Sequence, residues 1–524
     1  MTNDDIVQKL WNLCDVLRDD GINYSDYVTE IVLLLFIKMV HESTESGALK
    51  KHPLPEGCRW TDLNSKEGPD LLSYYKVVLK TLATGDWLKK SPKSKDKYDV
   101  VCAHNDSLLK AIYSDSQTFI REPSHLEQII NRFDEIKGWF SNESDGLGNL
   151  YEGLLDKNAN ETKSGAGQYF TPRALINCIV QCVKPKPGEL IQDPAAGTAG
   201  FLVAAHEYIK SITNGLEDLS PRVKHAQENE SYVGVELVPK TRRLALMNCL
   251  LHGIDGGEEV IVLGNTLGET GTMLEPADVI IANPPFGTSK GGDVSISRKD
   301  LPYQTTNKQL AFLQHIYLNL KSGGRAAVVV PDNVLFETGK GTEVRRDLMS
   351  KCNLHTVLRL PKGIFYAQGV QTNVLFFTKG PSTENIWVYD LRTNMKSFGK
   401  RRPFDDTHLE PFKKVFGENP DGTSDREEGE WSFQSSSKNE GGLSSDVSSS
   451  AAVSLELSRW RCFSRQWVHD VKEDSLDISW LKDKESVDSD GLPKPTELAS
   501  NARKEILAAL KELDALLTKL GEEY

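Results

Sequence analysis

This 524-residue chain lacks the ligand spacing of a zinc site, an apolar run of bilayer length and an excess of basic charge. Its eight cysteines are scattered, with no CxxC pair, so neither a disulfide framework nor a structural metal is expected. Cys178 and Cys182 lie four apart on an expected helix with no matching His or Cys pair, and read as core. The longest apolar run of note, IVLLLFIKMV at 31–40, is too short to span a bilayer and contains Lys38. The start, MTNDDIVQKL, is acidic and does not read as a signal peptide. Acidic residues number 75 against 62 basic, a net charge of −13. A protein that binds nucleic acid unaided is more often basic. The balance therefore counts against a self-sufficient DNA binder, but not against one whose partner supplies most of the phosphate contacts. These absences place the chain among reduced, cytoplasmic proteins.

What is present is a change of pattern along the chain. Residues 1–145 read as a helical domain: LWNLCDVLR and DYVTEIVLLLFIKMVHE carry apolar residues at three- and four-residue spacings. Within 146–400, short apolar strands are expected at ELIQD, YVGVE, VIVLG, DVIIAN, RAAVVVP, HTVLRLP and NVLFFTKG, with helical patterns between the first five. That alternation predicts an α/β fold with a doubly wound, mostly parallel sheet. The last two strands are joined by a loop too short for a helical crossover and are expected to pair antiparallel. Residues 401–480 read as an irregular extension with a flexible Ser-rich stretch near 434–455. Residues 481–524 read as a C-terminal helical segment, in which Ile506, Leu510, Leu513, Leu517 and Leu520 follow the spacing of a coiled-coil seam.

The stretch ADVIIANPPFGTSKGG, 277–292, sets the chemical question. An apolar strand ends in Asn283, Pro284, Pro285 and Phe286. A rigid turn is one explanation. Geometry offers another. Each proline holds the residue before it extended and fixes its own φ. Prolines also donate no N–H, so the carbonyls here have few competing donors. An amide oxygen and one or two fixed carbonyls beside an exposed ring suit a planar exocyclic amine. The oxygens accept its two hydrogens, and the ring stacks on its face.

Four more segments fit the same chemistry. ELIQDPAAGTAGF places Asp193 at a strand end, before Gly197, Thr198, Ala199 and Gly200, whose small size lets the backbone approach a ligand. A dinucleotide fold is the rival, but Ala195 stands where GxGxxG needs its first glycine, and Asp193 would repel a pyrophosphate. It would favour a cofactor bearing an ammonium and a sulfonium. YVGVELVP puts Glu236 at the next strand end, where an acid can accept from both hydroxyls of a ribose. VIVLGNTL puts Asn265 after a third strand, either to bond an adenine edge or as ordinary turn chemistry. In GAGQYFTPRALINCIV, Thr171 and Pro172 read as the N-cap and first residue of a helix. Gln168, Tyr169 and Phe170 are left for the ligand, with exposed N–H groups to take its carboxylate.

Together these residues resemble the amino-methyltransferases that use S-adenosylmethionine, with GQYFTP, DPAAGTAGF and NPPF in the order of the group that methylates adenine N6 in DNA. DKNANETKSGAGQYFTPR, TRRLALMNCLLHGI, GGRAAVVVPDNVLFE and LRLPKGIFYAQGVQTNVLFFTKG are similar to the modification (M) subunit of type I restriction–modification systems, particularly the type IA group, over nearly the whole chain. The resemblance implies a methyltransferase domain at 146–400 and N-terminal helices. The Leu/Ile seam of the C-terminal segment would expose an apolar stripe unless it packs within the chain or docks on another subunit. It implies that Gln168, Tyr169, Phe170, Thr171, Pro172 and Arg173 hold the methionine end of S-adenosylmethionine. It further implies that Asp193, Gly197, Thr198, Ala199 and Gly200 belong to the cofactor loop, that Glu236 binds the ribose, and that Asn265 sits near the adenine, where many relatives carry Asp. Asn283, Pro284, Pro285 and Phe286 would be catalytic, the first two holding the amine and Phe286 stacking on a base flipped from the duplex. Phe365 would support the other side of that pocket, or serve the core. The implied partners are double-stranded DNA, a specificity (S) subunit in a ratio of two M to one S, and a restriction (R) subunit. No membrane is implied. The polar loop GTSKGGDVSISRKDLPYQTTNK, 287–308, is expected either to order on DNA or to be ordinary surface. Two alternatives stand beside this reading: an amino-methyltransferase acting on RNA or a protein glutamine, and a non-catalytic scaffold with a retained fold.

Overall fold

The computed structural model describes residues 8–9, 12–13, 24–47, 49, 51–90, 98–136, 171–286, 296–365, 370–399, 402–428 and 459–481. Gln168, Tyr169, Phe170, the Ser-rich stretch and the C-terminal seam lie outside the described residues. The chain divides into two units, Met1–Ser479 and Trp480–Tyr524, and all that follows concerns the first.

Its centre is a nine-stranded sheet. In chain order the strands are β3 (Ile191–Asp193), β4 (Tyr232–Glu236), β5 (Ile261–Leu263), β6 (Ala277–Ala282), β7 (Leu320–Pro331), β8 (Cys352–Arg359), β9 (Thr372–Lys379), β10 (Asn385–Asp390) and β11 (Trp460–Ser464). Across the sheet they lie β11-β10-β8-β9-β7-β6-β3-β4-β5. From β7 to β5 every neighbouring pair is parallel. β3 is flanked by β4 on one side and β6 on the other, so the winding reverses there. Ligands of such sheets bind outside the carboxyl ends of the strands at a reversal of this kind. The core strands are apolar without alternation because helices cover both faces. Val279, Ile280 and Ile281 of β6 are fully buried. β8 and β9 pair antiparallel, Cys352 opposite Lys379, as the short loop between them requires.

Several features differ from the sequence reading, among them β10, which was not expected as a strand. Between β5 and β6 there is no full helix, only the turn-length Glu269–Thr272. The connection leads from the edge strand to the centre of the sheet in 13 residues, 264–276, which leaves no room for more. The stretch read as an irregular extension supplies a helix, Glu410–Phe416, and the edge strand β11, which pairs antiparallel with β10. Phe412, Phe416 and Trp460 of that stretch are buried in the main core. The N-terminal region, read as helical, also contains an antiparallel hairpin of β1 (Asp86–Lys90) and β2 (Tyr98–Cys102).

The helix Tyr24–Glu45 is buried all round from Ile31 to Ile37, which explains its uninterrupted apolar run. Lys38 ends that run without an unpaired charge: its Nζ donates to Asp134 Oδ1 at 2.8 Å. N-terminal helices pack on the helix Pro239–Leu251, so this region and the sheet share one apolar core.

Candidate functional site

Four polar residues stand in a row along the carboxyl edge of the sheet: Asp193 ends β3, Glu236 ends β4, Asn265 follows β5 and Asn283 follows β6. The row arises because parallel strands deliver all their carboxyl ends to one edge.

The loop after β3 is pinned from three directions. Gly197 donates its N–H to Glu236 Oε2 at 3.0 Å, across the β3–β4 pair. Thr266, after β5, donates its hydroxyl to the Pro194 carbonyl at 2.6 Å. Asn248, buried in the helix Pro239–Leu251, donates to the Thr198 carbonyl at 3.0 Å. Gly197 takes φ +55 and Ala199 φ +66, so two residues close together occupy the left-handed region, where only glycine is unstrained. Gly234 lies beneath this loop. A Cβ there would come within 2.8 Å of Ala196 Cβ and 2.7 Å of Ile261 Cδ1. Gly200 then opens the helix Gly200–Ile212.

Two carboxyls face this loop. Asp193 is buried and accepts from the Ala195 N–H at 3.0 Å. Burial pushes its carboxyl up to about 7; the Ala195 bond opposes this, and the nearby Glu236 charge adds to it. Glu236 is also raised, by burial first, although it accepts from the Gly197 and Val238 amides. Each carboxylate oxygen can accept a further hydrogen. Two desolvated acids side by side suit a ligand that carries positive charge and hydroxyl donors. A dinucleotide phosphate would add charge of the same sign. The side-chain oxygen of Asn265 accepts from the Leu267 N–H at 3.0 Å, so that oxygen serves the turn.

The catalytic candidates lie beside this cradle. Thr171 does not cap the helix expected at its position. Pro172, extended at ψ 136, is the N-cap and the helix runs Arg173–Val183. The Thr171 hydroxyl instead accepts from Asn283 Nδ2 at 2.9 Å, and both residues are buried. One hydrogen bond thus joins the motif expected to hold the cofactor to the motif expected to hold the amine. The carbonyl of Pro285 accepts from Gln309 Nε2 at 2.9 Å, so Pro285 serves to anchor the turn. Gln309 is placed by Asn307, whose side chain caps the helix Lys308–Asn319. Phe286 meets Phe365 edge to face, with ring centroids 6.0 Å apart at 86°.

Asn248, Thr266, Gln309 and Gly234 were not legible as site residues. Asn248 interrupts the apolar stretch LALMNCLL, and a buried amide inside a helix is the one sequence signal among them. Within the second half of the polar loop, 296–308, Leu301 and Asn307 are buried. Arg298 is buried, donating to the Thr266 carbonyl at 3.1 Å, and its Nη1 lies 3.0 Å from Nδ1 of His315. Burial lowers His315 to about 3, so it stays neutral and accepts from the guanidinium. Residues 287–295 lie outside the described part.

Residues 142–440 match the N-6 DNA Methylase family and residues 6–133 the HsdM N-terminal domain. The chain is 51% identical to the type I restriction enzyme EcoKI methylase subunit of Escherichia coli K12, over 99% of this chain and 96% of that one. It is 50% identical, at the same coverage, to the StySPI methylase subunit of Salmonella potsdam. The crystal structure of the EcoKI M protein superposes with a TM-score of 0.56 at 46% identity, covering 99% of this chain and 97% of that one. A chain from a structural study of complex assembly and conformational transition in the type I R-M system superposes with a TM-score of 0.64 at 26% identity and 99% coverage of both chains. With matches of this extent, the chain belongs to the N-6 DNA methylase family, as an adenine-specific DNA methyltransferase of the type I restriction methylase subunits.

Proposed function

We propose that this chain methylates adenine N6 at a specific sequence in double-stranded DNA with S-adenosylmethionine. It acts as the modification subunit of a complex with one specificity subunit for two M chains, and with a restriction subunit in the full assembly. The modification protects host DNA. The observation that carries this reading is the hydrogen bond between Thr171 and Asn283, which sets the amide of the NPPF turn beside the acidic, small-residue cradle at the β3–β6 switch point.

S-adenosylmethionine would supply the methyl group on a sulfonium. Asp193 and Glu236 fit its positive charge and ribose hydroxyls, and the Gly197–Gly200 backbone leaves it room. Gln168, Tyr169, Phe170, Thr171, Pro172 and Arg173 would hold its methionine end, and Asn265 would lie near the adenine. The target adenine must leave the duplex to reach Asn283, at a cost of a few kcal/mol. Its N6 lone pair is delocalised into the ring and is a poor nucleophile. The Asn283 Nδ2 donates to Thr171, which fixes the orientation of the amide and of its acceptor, Oδ1. That oxygen and the Pro284 carbonyl accept the two N6 hydrogens. They draw the nitrogen towards tetrahedral geometry and localise its pair for in-line attack. Phe286 stacks on the base and Phe365 backs it. Asn283 positions and polarises the amine and is not a general base. The proton leaves after transfer, when the amine has become acidic.

The acidic balance of the chain supports a reading in which the specificity subunit supplies most of the phosphate contacts. Among the described residues, no helix is long and apolar enough to cross a membrane. The deciding experiment is transfer of labelled methyl from S-adenosylmethionine to DNA, with and without a co-expressed specificity subunit. Methylation of DNA N6 only in the complex is expected. Label on RNA or a glutamine peptide instead, or efficient site-specific methylation by the lone chain, would overturn the reading.

A further inference from the structure

The chain leaves β8 at Arg359 and re-enters the sheet at Thr372, and the segment between carries Phe365. Both stems of that segment converge on one buried side chain, Arg392, two residues past the end of β10. On the outgoing stem, Arg392 Nε donates to the Leu360 carbonyl at 2.9 Å. On the returning stem, Nη1 donates to Gln371 Oε1 at 2.9 Å and Nη2 to the Thr372 carbonyl at 2.7 Å and Asn373 Oδ1 at 3.2 Å. The two Nη atoms also grip the carboxylate of Asp332, the residue after β7, at 2.7 and 3.0 Å. Asn373 donates to the same carboxylate at 2.8 Å, and the Asp332 N–H donates to the Gln371 carbonyl at 2.9 Å. Every nitrogen of the guanidinium is engaged. A lysine, a point charge with three donors, cannot reproduce that planar fork. Arg392 is itself held in place: its N–H and that of Thr393 both donate to Oδ1 of Asp390, the buried last residue of β10.

The object of this clamp sits at its far end. Phe365 meets Phe286 at 6.0 Å, and Phe286 is three residues beyond Asn283. The stems that Arg392 joins therefore determine where one ring of the pair stands relative to the NPPF turn. We propose that Arg392 is a positioning residue for methyl transfer: by tying Leu360, Gln371 and Thr372 to Asp332 it sets the spacing of Phe365 from Phe286, and so the slot that receives the target base. The proposal rests on the reading that these two rings line the base pocket. It also assigns a task to β10, which brings Arg392 to the carboxyl edge of the sheet.

The test uses the assembled methylase complex and two duplexes bearing its own site, mapped by modified-base sequencing: one with the target adenine, to measure methyl transfer, and one with 2-aminopurine in its place, which lacks N6 and reports base flipping only. R392K should keep S-adenosylmethionine affinity within about twofold. Its single-turnover methylation rate should fall ~10²-fold, the scale of a misplacement of about 1 Å, with a weakened 2-aminopurine signal. F365A should lower both signals, and R392K in the F365A background should cost less than about threefold more, because the two changes act through one ring. A wild-type rate for R392K, or losses that multiply in the double variant, would overturn the clamp. An unchanged rate for F365A would overturn the pocket reading and the proposal with it. Where R392K does not fold, Q371A, which removes one stem contact and keeps the ion pair with Asp332, decides the matter: a drop of about tenfold supports the clamp and a wild-type rate refutes it.

Discussion

Replacing Thr171 by valine tests the bond that joins the two motifs. Valine has nearly the shape of threonine, so no cavity opens, but the acceptor 2.9 Å from Asn283 Nδ2 is gone. A neutral hydrogen bond contributes about 0.5–1.5 kcal/mol, and burying a polar group with its partner removed costs about 1–3 kcal/mol. With both residues buried, the loss falls on the orientation of the amide rather than being repaired by solvent. If about 1–2 kcal/mol of that appears in the barrier, at about 1.4 kcal/mol per decade, the rate of methyl transfer falls ~5–30-fold. Asn283→Ala removes the polarising oxygen itself and should cost ~10²–10³ in rate. Thr171→Ser keeps an acceptor and should stay near wild type. The assay is single-turnover transfer of labelled methyl in the assembled complex, with cofactor affinity titrated in parallel. A folded Thr171→Val complex with a wild-type rate would refute the reasoning. A loss confined to cofactor affinity would show that Thr171 acts on the cofactor and not through Asn283.

Gly234→Ala should cost about 1–3 kcal/mol of stability and weaken cofactor binding, because its Cβ would press on Ala196 and Ile261 under the loop. Gly197→Ala meets no atom within 4 Å, so its cost should be the left-handed backbone alone, about 1–2 kcal/mol; denaturant melts separate the two. Asp193, held up to about 7, keeps its proton in the folded chain over a window where the unfolded chain has lost it. Its contribution to stability is therefore full below about pH 4 and is lost as pH rises to about 7. A cationic ligand needs the ionised form, so S-adenosylmethionine affinity should rise through that same upper limit and lose this dependence in Asp193→Asn. Calorimetric titration giving a flat profile for the wild type would contradict this. Truncation before Ala502 removes the Leu/Ile seam and should abolish assembly with the specificity subunit, read by size-exclusion chromatography, while cofactor affinity stays unchanged. Normal assembly would show that the seam is not the docking element.

The strands around the site were legible because a parallel sheet covered on both faces demands short continuous apolar runs, and VIIA, VGV and AAVVV satisfy it. Their polar ends were legible for the complementary reason. A run that stops in Asp193, Glu236 or Asn283 breaks its own pattern at the edge where ligands bind. The antiparallel pairing of β8 and β9 followed from loop length alone. β10 and β11 were missed: ENIWVYD and WRCFS are short, and β11 is separated from its partner β10 by some 70 residues. The role of Thr171 was also beyond reach, because the residue that claims its hydroxyl lies 112 positions away, while helix-capping rules see only its neighbours. Gln309 on the Pro285 carbonyl, Asn248 on Thr198 and Arg392 across three segments share that character. Periodicity records which face of an element is buried, and strand ends record where chemistry is presented. Which polar atom meets which across the edge is set only when the sheet closes and brings distant turns within hydrogen-bonding distance.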